Sequence, residues 1–418
     1  MIYKKINWIF HIDFDSYFAS AIKSVIPELK DKEVSIARSD ATNSISVALS
    51  QELKKKGAKV GMRINELEKI SNKFHVWQPN HDFFNMLSKE IFDFIHQTYK
   101  LVYEVYSVDE AYFDASNAVN NANEAIELAT LIQKNIKEKF NIPLTVGIGH
   151  SKFIAKMTTN LAKPFGIKYT SNSDIKKNFY DLEISEFFGL GRGSYEKLYA
   201  AGIYKIGDLE RWNERRKEFK KIVGFESEHI FNNLYGPGEI EIQTEIEDFK
   251  NIGHEISFEM YYLSDVYDIK EHIKEQLKKV CIRAQNRNLV GNTISLNLRL
   301  LETLKWKRFS RKIKSHTNDF SEIWSQINQM FDIVYDGSVL KGVGVRLQNL
   351  KNADLLKSQI NLFENETRPE NDVSRIIDSI NFQLNKKSLK TLSQHSKIKD
   401  VSSSQHRFLA KDISERKK

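Results

Sequence analysis

The chain has a single cysteine, Cys281, in 418 residues. An internal disulfide and a cysteine-based zinc site are therefore excluded, and the composition suits a reducing cytoplasm. No apolar run approaches the roughly 20 residues that a membrane helix needs. The opening "MIYKKINWIFHIDFD" puts two lysines before apolar residues, but Asn7 and His11 interrupt them and no small-residue cleavage site follows. It reads as a first strand rather than a signal peptide. The sequence also lacks an internal repeat.

What is present is an ordinary soluble composition, 41% hydrophobic and 28% charged, on a chain long enough for about two to four compact units. The net charge is +8 and the pI is about 9.1. Residues 250–351 hold 17 Lys plus Arg against 11 Asp plus Glu, and residues 283–314 hold nine basic residues and one acidic. Such a region is either a solvated lysine-rich face or a surface for a polyanion.

Up to about residue 170, strands alternate with helices. Strands are predicted over 6–14, from 44, over 104–114 and over 144–150; helices follow 14 and cover about 81–100, 122–139 and 151–166, and one ends at Gly57 and Gly61. This pattern predicts a sheet with helices packed on it. Residues 174–236 read as short helices separated by glycine. Pro237, Gly238 and the acidic stretch after them read as a boundary and linker over 237–249. Three strands and two helices are predicted over 250–352, and a polar tail, flexible by its composition, over 353–418.

Two acidic pairs stand out. In "EVYSVDEAYFD" (104–114), Asp109 and Glu110 sit inside a run that otherwise reads as a buried strand, and "HIDFDSYFAS" (11–20) places Asp13 and Asp15 two apart, on one face of a strand. A carboxylate in an apolar setting costs several kcal/mol unless a cation or hydrogen bonds compensate it. Either these strand ends look into water, or they hold a cation. Hard divalent ions such as Mg²⁺ take oxygen ligands shared with phosphates and water, and two of them would clamp the attacking and leaving oxygens of a nucleotidyl transfer.

The strings "DFDSYFAS", "YSVDEAYFD" and "GIGHSKFIAKMTTNLAKPFGI", in this order and at these separations, closely resemble the palm and fingers motifs of the Y-family, the translesion DNA polymerases. "GLGRGSYEKLYAAGI" resembles the thumb of that family, and the likeness covers roughly residues 5–350. The resemblance implies an α+β, multidomain right-hand fold: palm (1–16 and 78–170), small fingers (17–77), helix-hairpin-helix thumb (171–236) and little finger (250–352). It implies low-fidelity, template-directed DNA synthesis across damaged bases with two Mg²⁺ ions, on primer-template DNA and deoxynucleoside triphosphates, by a cytoplasmic monomer.

By the same resemblance, Asp13 and Asp109 would bridge both ions, Glu110 would complete the ion at the primer 3′-hydroxyl, and the Phe14 carbonyl would help hold the other. Adjacent Asp109 and Glu110 can both serve only if the strand turns or ends there. Phe18 matches the ring that excludes a 2′-hydroxyl, with a core phenylalanine as the alternative; Tyr17 matches an aromatic position close to the nucleotide, and Lys163 the lysine that reaches the triphosphate. Where many members carry a Tyr and, three residues on, an Arg, this chain has Gln51 and Lys54. Lys54 keeps the charge without the bidentate fork. Gly189, Gly191, Arg192 and Gly193 suit a turn whose backbone N–H groups hold a DNA phosphate, or one used only for packing. Gln359, Leu362 and Phe363 in "QINLFE" resemble the peptide with which bacterial polymerases dock on the sliding clamp; a segment packed on the little finger is the alternative.

The rivals are a catalytically inactive DNA-binding accessory protein of the same fold and another two-metal enzyme on a related palm, such as a nucleotide cyclase. The DinB-like and UmuC-like branches are both open: Asp15 favours the first, whereas "EVYSVDEA" and Lys54 favour the second.

Overall fold

Alternation along the first strand, β1 (Ile9–Phe14), decides how its unit is layered. Phe10, Ile12 and Phe14 leave one face for a core shared with Ile91, Phe92, Ile132 and Ile136. Ile9, His11 and Asp13 leave the other. The computed structural model describes residues 7–224, 226–244, 250–258, 261–357 and 411–412. The chain divides into two units, Met1–Glu245 with Arg407–Lys418, and Ile246–His406.

In the first unit, β1 leads into α1 (Tyr17–Val25) and then a second sheet of β2 (Glu33–Ala37), β3 (Ser46–Leu49) and β4 (Phe74–Trp77). On it, α2 (Gln51–Lys55) and α3 (Ile64–Ile70) pack around Leu53, Leu67 and Phe74. The chain returns through α4 (His81–Tyr99), β5 (Val102–Val105), β6 (Glu110–Asp114), α5 (Ala122–Phe140), β7 (Leu144–Gly149), α6 (Lys152–Ala162) and β8 (Ile167–Tyr169). The first sheet has the order β5-β6-β1-β7-β8. Its central strand is antiparallel to both neighbours.

Helices α4 and α5 bury their apolar stripes on the Phe10 face, and α6 covers the face that carries His11 and Asp13. Close approach of α6 needs glycine. Gly147 and Gly149 lie opposite His11 and Ile9, and a Cβ on Gly147 would come within 2.2 Å of the Ala155 carbonyl oxygen and 2.3 Å of the Thr159 nitrogen. The Ser151 side chain caps α6 by accepting from the Ile154 N–H, and the helix stops at Ala162, just before Lys163 and Pro164.

A helical cluster follows: α7 (Ile175–Phe179), α8 (Arg192–Ala200), α9 (Arg216–Val223) and α10 (Glu226–Tyr235), joined by short 3₁₀ turns around Phe179, Leu198, Phe219 and Phe231. The stretch 237–244, expected as the start of a linker, is bound along this unit. The Lys152 N–H donates to the Glu239 carbonyl at 2.8 Å. The Lys152 ammonium, almost fully buried, holds Glu239 at 2.8 Å and Glu104 at 2.5 Å, and Glu104 also accepts from the Gln243 N–H at 2.7 Å.

The second unit contains β9 (Asn251–Ser257), α11 (Val266–Gln285), β10 (Leu289–Leu300), β11 (Trp306–Thr317), α12 (Phe320–Val334) and β12 (Leu340–Asn352). They form an antiparallel sheet of order β11-β10-β12-β9. Ile294, Leu296 and Leu298 meet both helices in the core. Ser295 and Asn297 face the other way into a polar layer, with the Arg308 guanidinium donating to Asn297 at 3.1 Å and Ser295 donating to Gln348 at 2.7 Å. Cys281 lies on α11 inside the core, and burial pushes its thiol up to about 12.

The tail predicted from residue 353 begins with a helical turn, α13 (Ala353–Lys357). Farther on, β13 (Lys411–Asp412) pairs antiparallel with the edge of β4, Lys411 opposite Val76. The clamp-like residues Gln359, Leu362 and Phe363 lie outside the described residues.

Candidate active site

Asp13 and Glu110 face each other as a cross-strand pair of β1 and β6, so their side chains share a face of the sheet. β6 begins at Glu110, and Asp109 occupies the bend before it. The turn that the sequence required between the two acids is therefore present. In that bend the Ser107 hydroxyl donates to Asp109 at 2.6 Å, and the Asp109 carbonyl accepts from the Phe14 N–H at 2.9 Å.

Asp15 lies just past the end of β1, before the left-handed turn at Ser16 with its φ of 51°. Its carboxylate meets Thr145, the cross-strand partner of Asp13, so the two acids share a face as their spacing foretold. Asp15 is buried against β7, accepting from the Thr145 hydroxyl at 3.0 Å and from the Phe165 N–H at 2.9 Å. Burial raises its carboxyl, against the pull of those bonds. Its effect is to fasten the turn that carries Lys163.

Two lysines compensate the facing carboxylates. The Lys163 ammonium lies 2.6 Å from Asp13, and the Lys156 ammonium 2.8 Å from Glu110 and 3.7 Å from Asp13. Burial nevertheless pushes the Asp13 carboxyl up to about 7 against the attraction of Lys163, with Glu110 adding to the rise. Burial also works against charge on Glu110, but His11, Asp13 and Lys156 together hold its carboxyl well below the usual range. His11 is fully buried, with Nε2 3.5 Å from Glu110 and Nδ1 2.9 Å from the Thr159 hydroxyl. Burial drives its imidazole down to about 4, so it is neutral near pH 7.

Among the described residues, no three His, Cys, Asp or Glu side chains form a ready-made metal cage. The donor chemistry nonetheless fits a hard divalent ion. Asp13, Glu110 and Asp109 offer oxygen only, Mg²⁺ takes few protein ligands, and Asp13 and Glu110 face each other across adjacent strands. Lys54 looks onto the same place: desolvation and Lys163 lower its ammonium while Asp15, Asp13 and Asp109 pull it back. Gln51, at the start of α2, is half-buried.

The two aromatic candidates separate. Tyr17 is 2% exposed, its ring against Phe14 and its hydroxyl donating to the Phe84 carbonyl at 2.5 Å. Phe18 stays half-buried, stacked on Phe84 with centroids 4.3 Å apart and planes 9° apart. The Phe14 side chain is buried against Phe92, which leaves only its backbone for the part foreseen. In the helical cluster, Gly189 has a φ of 93°, Gly191 caps α8, and a Cβ on Gly191 or Gly193 would meet nothing within 4 Å. Arg192 is exposed and paired with Glu196 at 2.9 Å.

Sequence reasoning passed over Lys152, Lys156 and Thr159. Their signal was available: with Lys163 they follow steps of four, three and four, one face of a helix. That face meets the acidic face of β1.

The impB/mucB/samB family model matches residues 12–160, and the model of that family's C-terminal domain matches residues 249–362. The chain belongs to the impB/mucB/samB family. It is 28% identical over 357 residues to DNA polymerase IV of Ureaplasma parvum serovar 3, covering 85% of this chain and 98% of that protein. Against DNA polymerase IV of Oceanobacillus iheyensis it is 28% identical over 360 residues, covering 86% and 84%. Among solved structures, a Y-family DNA polymerase chimera of Dbh and Dpo4 superposes with a TM-score of 0.70 at 24% identity, covering 82% of this chain and 98% of that one. DinB from Sulfolobus solfataricus gives 0.54 at 22% identity, with the same coverage. The fold is that of the Y-family: α+β, with palm, fingers, thumb and little finger. The curated relatives reported are each named DNA polymerase IV.

Proposed function

We propose that this impB/mucB/samB-family chain is a DNA-directed DNA polymerase that carries out low-fidelity translesion synthesis on primer-template DNA. The observation that carries the reading is the facing pair Asp13 and Glu110, with Asp109 in the adjoining bend and Lys163 on Asp13. An accessory without chemistry has no use for buried carboxylates kept at this cost. The domains are palm (1–16 and 78–170), fingers (17–77), thumb (171–236), linker (237–249), little finger (250–352) and tail (353–418).

Asp13, Asp109, Glu110 and the Phe14 carbonyl would hold two Mg²⁺ ions, which supply charge neutralisation at the triphosphate and a more acidic primer 3′-hydroxyl. That hydroxyl gives up its proton to solvent, its oxygen forms a new bond to the α-phosphorus, and the bond to pyrophosphate breaks. Lys163, 38% exposed, is able to leave Asp13 for the triphosphate and offset charge on the departing pyrophosphate. Lys54 adds a second cation on the nucleotide side. Phe18 bars the 2′-hydroxyl, and Tyr17 supports it from the core. The turn of Gly189, Gly191, Arg192 and Gly193 holds a DNA phosphate through backbone N–H groups. The polar sheet face of the second unit, with Arg308 on it, grips the duplex backbone without reading bases. Gln359, Leu362 and Phe363 dock on the sliding clamp. The enzyme works as a monomer in the cytoplasm; among the described residues no helix is long and apolar enough to cross a membrane.

Primer extension tests this reading. Asp109→Asn and Glu110→Gln are each expected to lower extension at least a thousandfold while DNA affinity stays within about threefold of the parent. Substantial Mg²⁺-dependent extension by both variants would overturn the assignment.

A further inference from the structure

Lys156 has no part in the roles above, yet it is the most enclosed cation at the carboxylates. It is 8% exposed, in the middle of α6, with its ammonium 2.8 Å from Glu110, 3.7 Å from Asp13 and 6.0 Å from the centre of the Phe188 ring. Lys163 also touches Asp13, but it stands beyond the end of the helix and is 38% exposed, free to swing towards a ligand. Lys156 has no such freedom. Its helix is pressed onto the sheet at Gly147 and Gly149, where a Cβ would already collide. An ammonium fixed in so little solvent needs a compensating charge, and the compensating groups are two carboxylates that would hold the divalent ions.

We infer that Lys156 is a positioning residue for the divalent-ion site, an internal cation that aligns Glu110 with Asp13 and sets how tightly that site binds a divalent ion. The inference rests on the reading of Asp13 and Glu110 as cation ligands. A fixed positive charge within 4 Å of both ligands draws their negative charge towards itself and repels a dication sharing them. Affinity is thereby held low enough for exchange at each nucleotide addition. Removing the charge releases both carboxylates to the ion, so affinity rises; without an added ion it leaves them buried and repelling each other, so stability falls. A lysine present only to pack α6 predicts the second effect and not the first.

The test uses the full-length chain without DNA or nucleotide. Free Mn²⁺ is counted by electron paramagnetic resonance during titration, and thermal melting is followed in EDTA and in Mn²⁺. Lys156→Gln and Lys156→Met are expected to bind Mn²⁺ at least tenfold more tightly than the parent, and Lys156→Arg within threefold of it. Both neutral variants are expected to melt lower than the parent in EDTA, with most of the deficit recovered by Mn²⁺. Should the Met variant fail to fold, the Gln variant decides, since its amide can still bond Glu110. Unchanged Mn²⁺ affinity in the Gln variant, or a melting deficit that Mn²⁺ does not reduce, overturns the inference and leaves the polymerase reading intact. Mn²⁺ binding unaltered by Asp13→Asn removes the ligand reading instead, and this inference with it.

Discussion

At the scale of single residues, Phe18 and Tyr17 show how neighbours in sequence come to different ends. The Phe18 ring is held flat on Phe84 and edge-on to His81, with centroids 5.9 Å apart in the second contact, so it cannot turn aside for a bulkier sugar. Phe18→Ala is expected to raise ribonucleotide over deoxyribonucleotide incorporation at least tenfold by lifting a clash; competing-substrate extension measures it, and an unchanged ratio would return Phe18 to the core. The facing carboxylates Asp13 and Glu110 were legible because charge inside an apolar strand is rare and costly. Lys156 was passed over, since a lysine on a helix ordinarily reads as solvated, and its spacing from Lys152 and Thr159 gains meaning once that face meets the acidic face of β1. The shared face of Asp13 and Asp15 was legible in their two-residue spacing, whereas the bond of Asp15 to Thr145 joins residues 130 apart that no local pattern reveals.

At the scale of elements, the contact of α6 with β7 positions most of the site. Gly147→Ala would press a methyl group into the Ala155 and Thr159 backbone, and lifting the helix moves Lys156 away from Glu110. The expected loss is about 3 kcal/mol of stability by denaturant unfolding, with extension falling in parallel. Long periodic segments were read closely: the helix predicted over 81–100 is His81–Tyr99, and the strand predicted over 144–150 is Leu144–Gly149. The helix expected to close at Gly57 is Gln51–Lys55, capped at Lys56, and Gly57, with a φ of 94°, turns the chain away. The acidic stretch after Pro237 looked like a boundary and linker. Its Glu239 instead meets the buried Lys152, a partner 87 residues earlier that no local pattern reveals.

At the scale of the molecule, the order of the motifs along the chain carried the family. The basic excess of residues 250–351 belongs to the second unit, whose sheet turns a polar layer outward from its core. Gln359, Leu362 and Phe363 come after α13 in sequence. If they tether the enzyme to the clamp, Leu362→Ala with Phe363→Ala abolishes clamp-stimulated synthesis and leaves basal distributive extension unchanged, because tethering acts through local concentration; extension with and without clamp separates the two. Stimulation that persists in the double variant would sink the docking role. The place of Cys281 bears on the conditions under which such an enzyme is needed. Peroxide and electrophiles that damage bases also attack thiolates, and the only thiol of this chain is sealed in a core and pushed up to about 12. The polymerase therefore presents no exposed sulfhydryl to such agents.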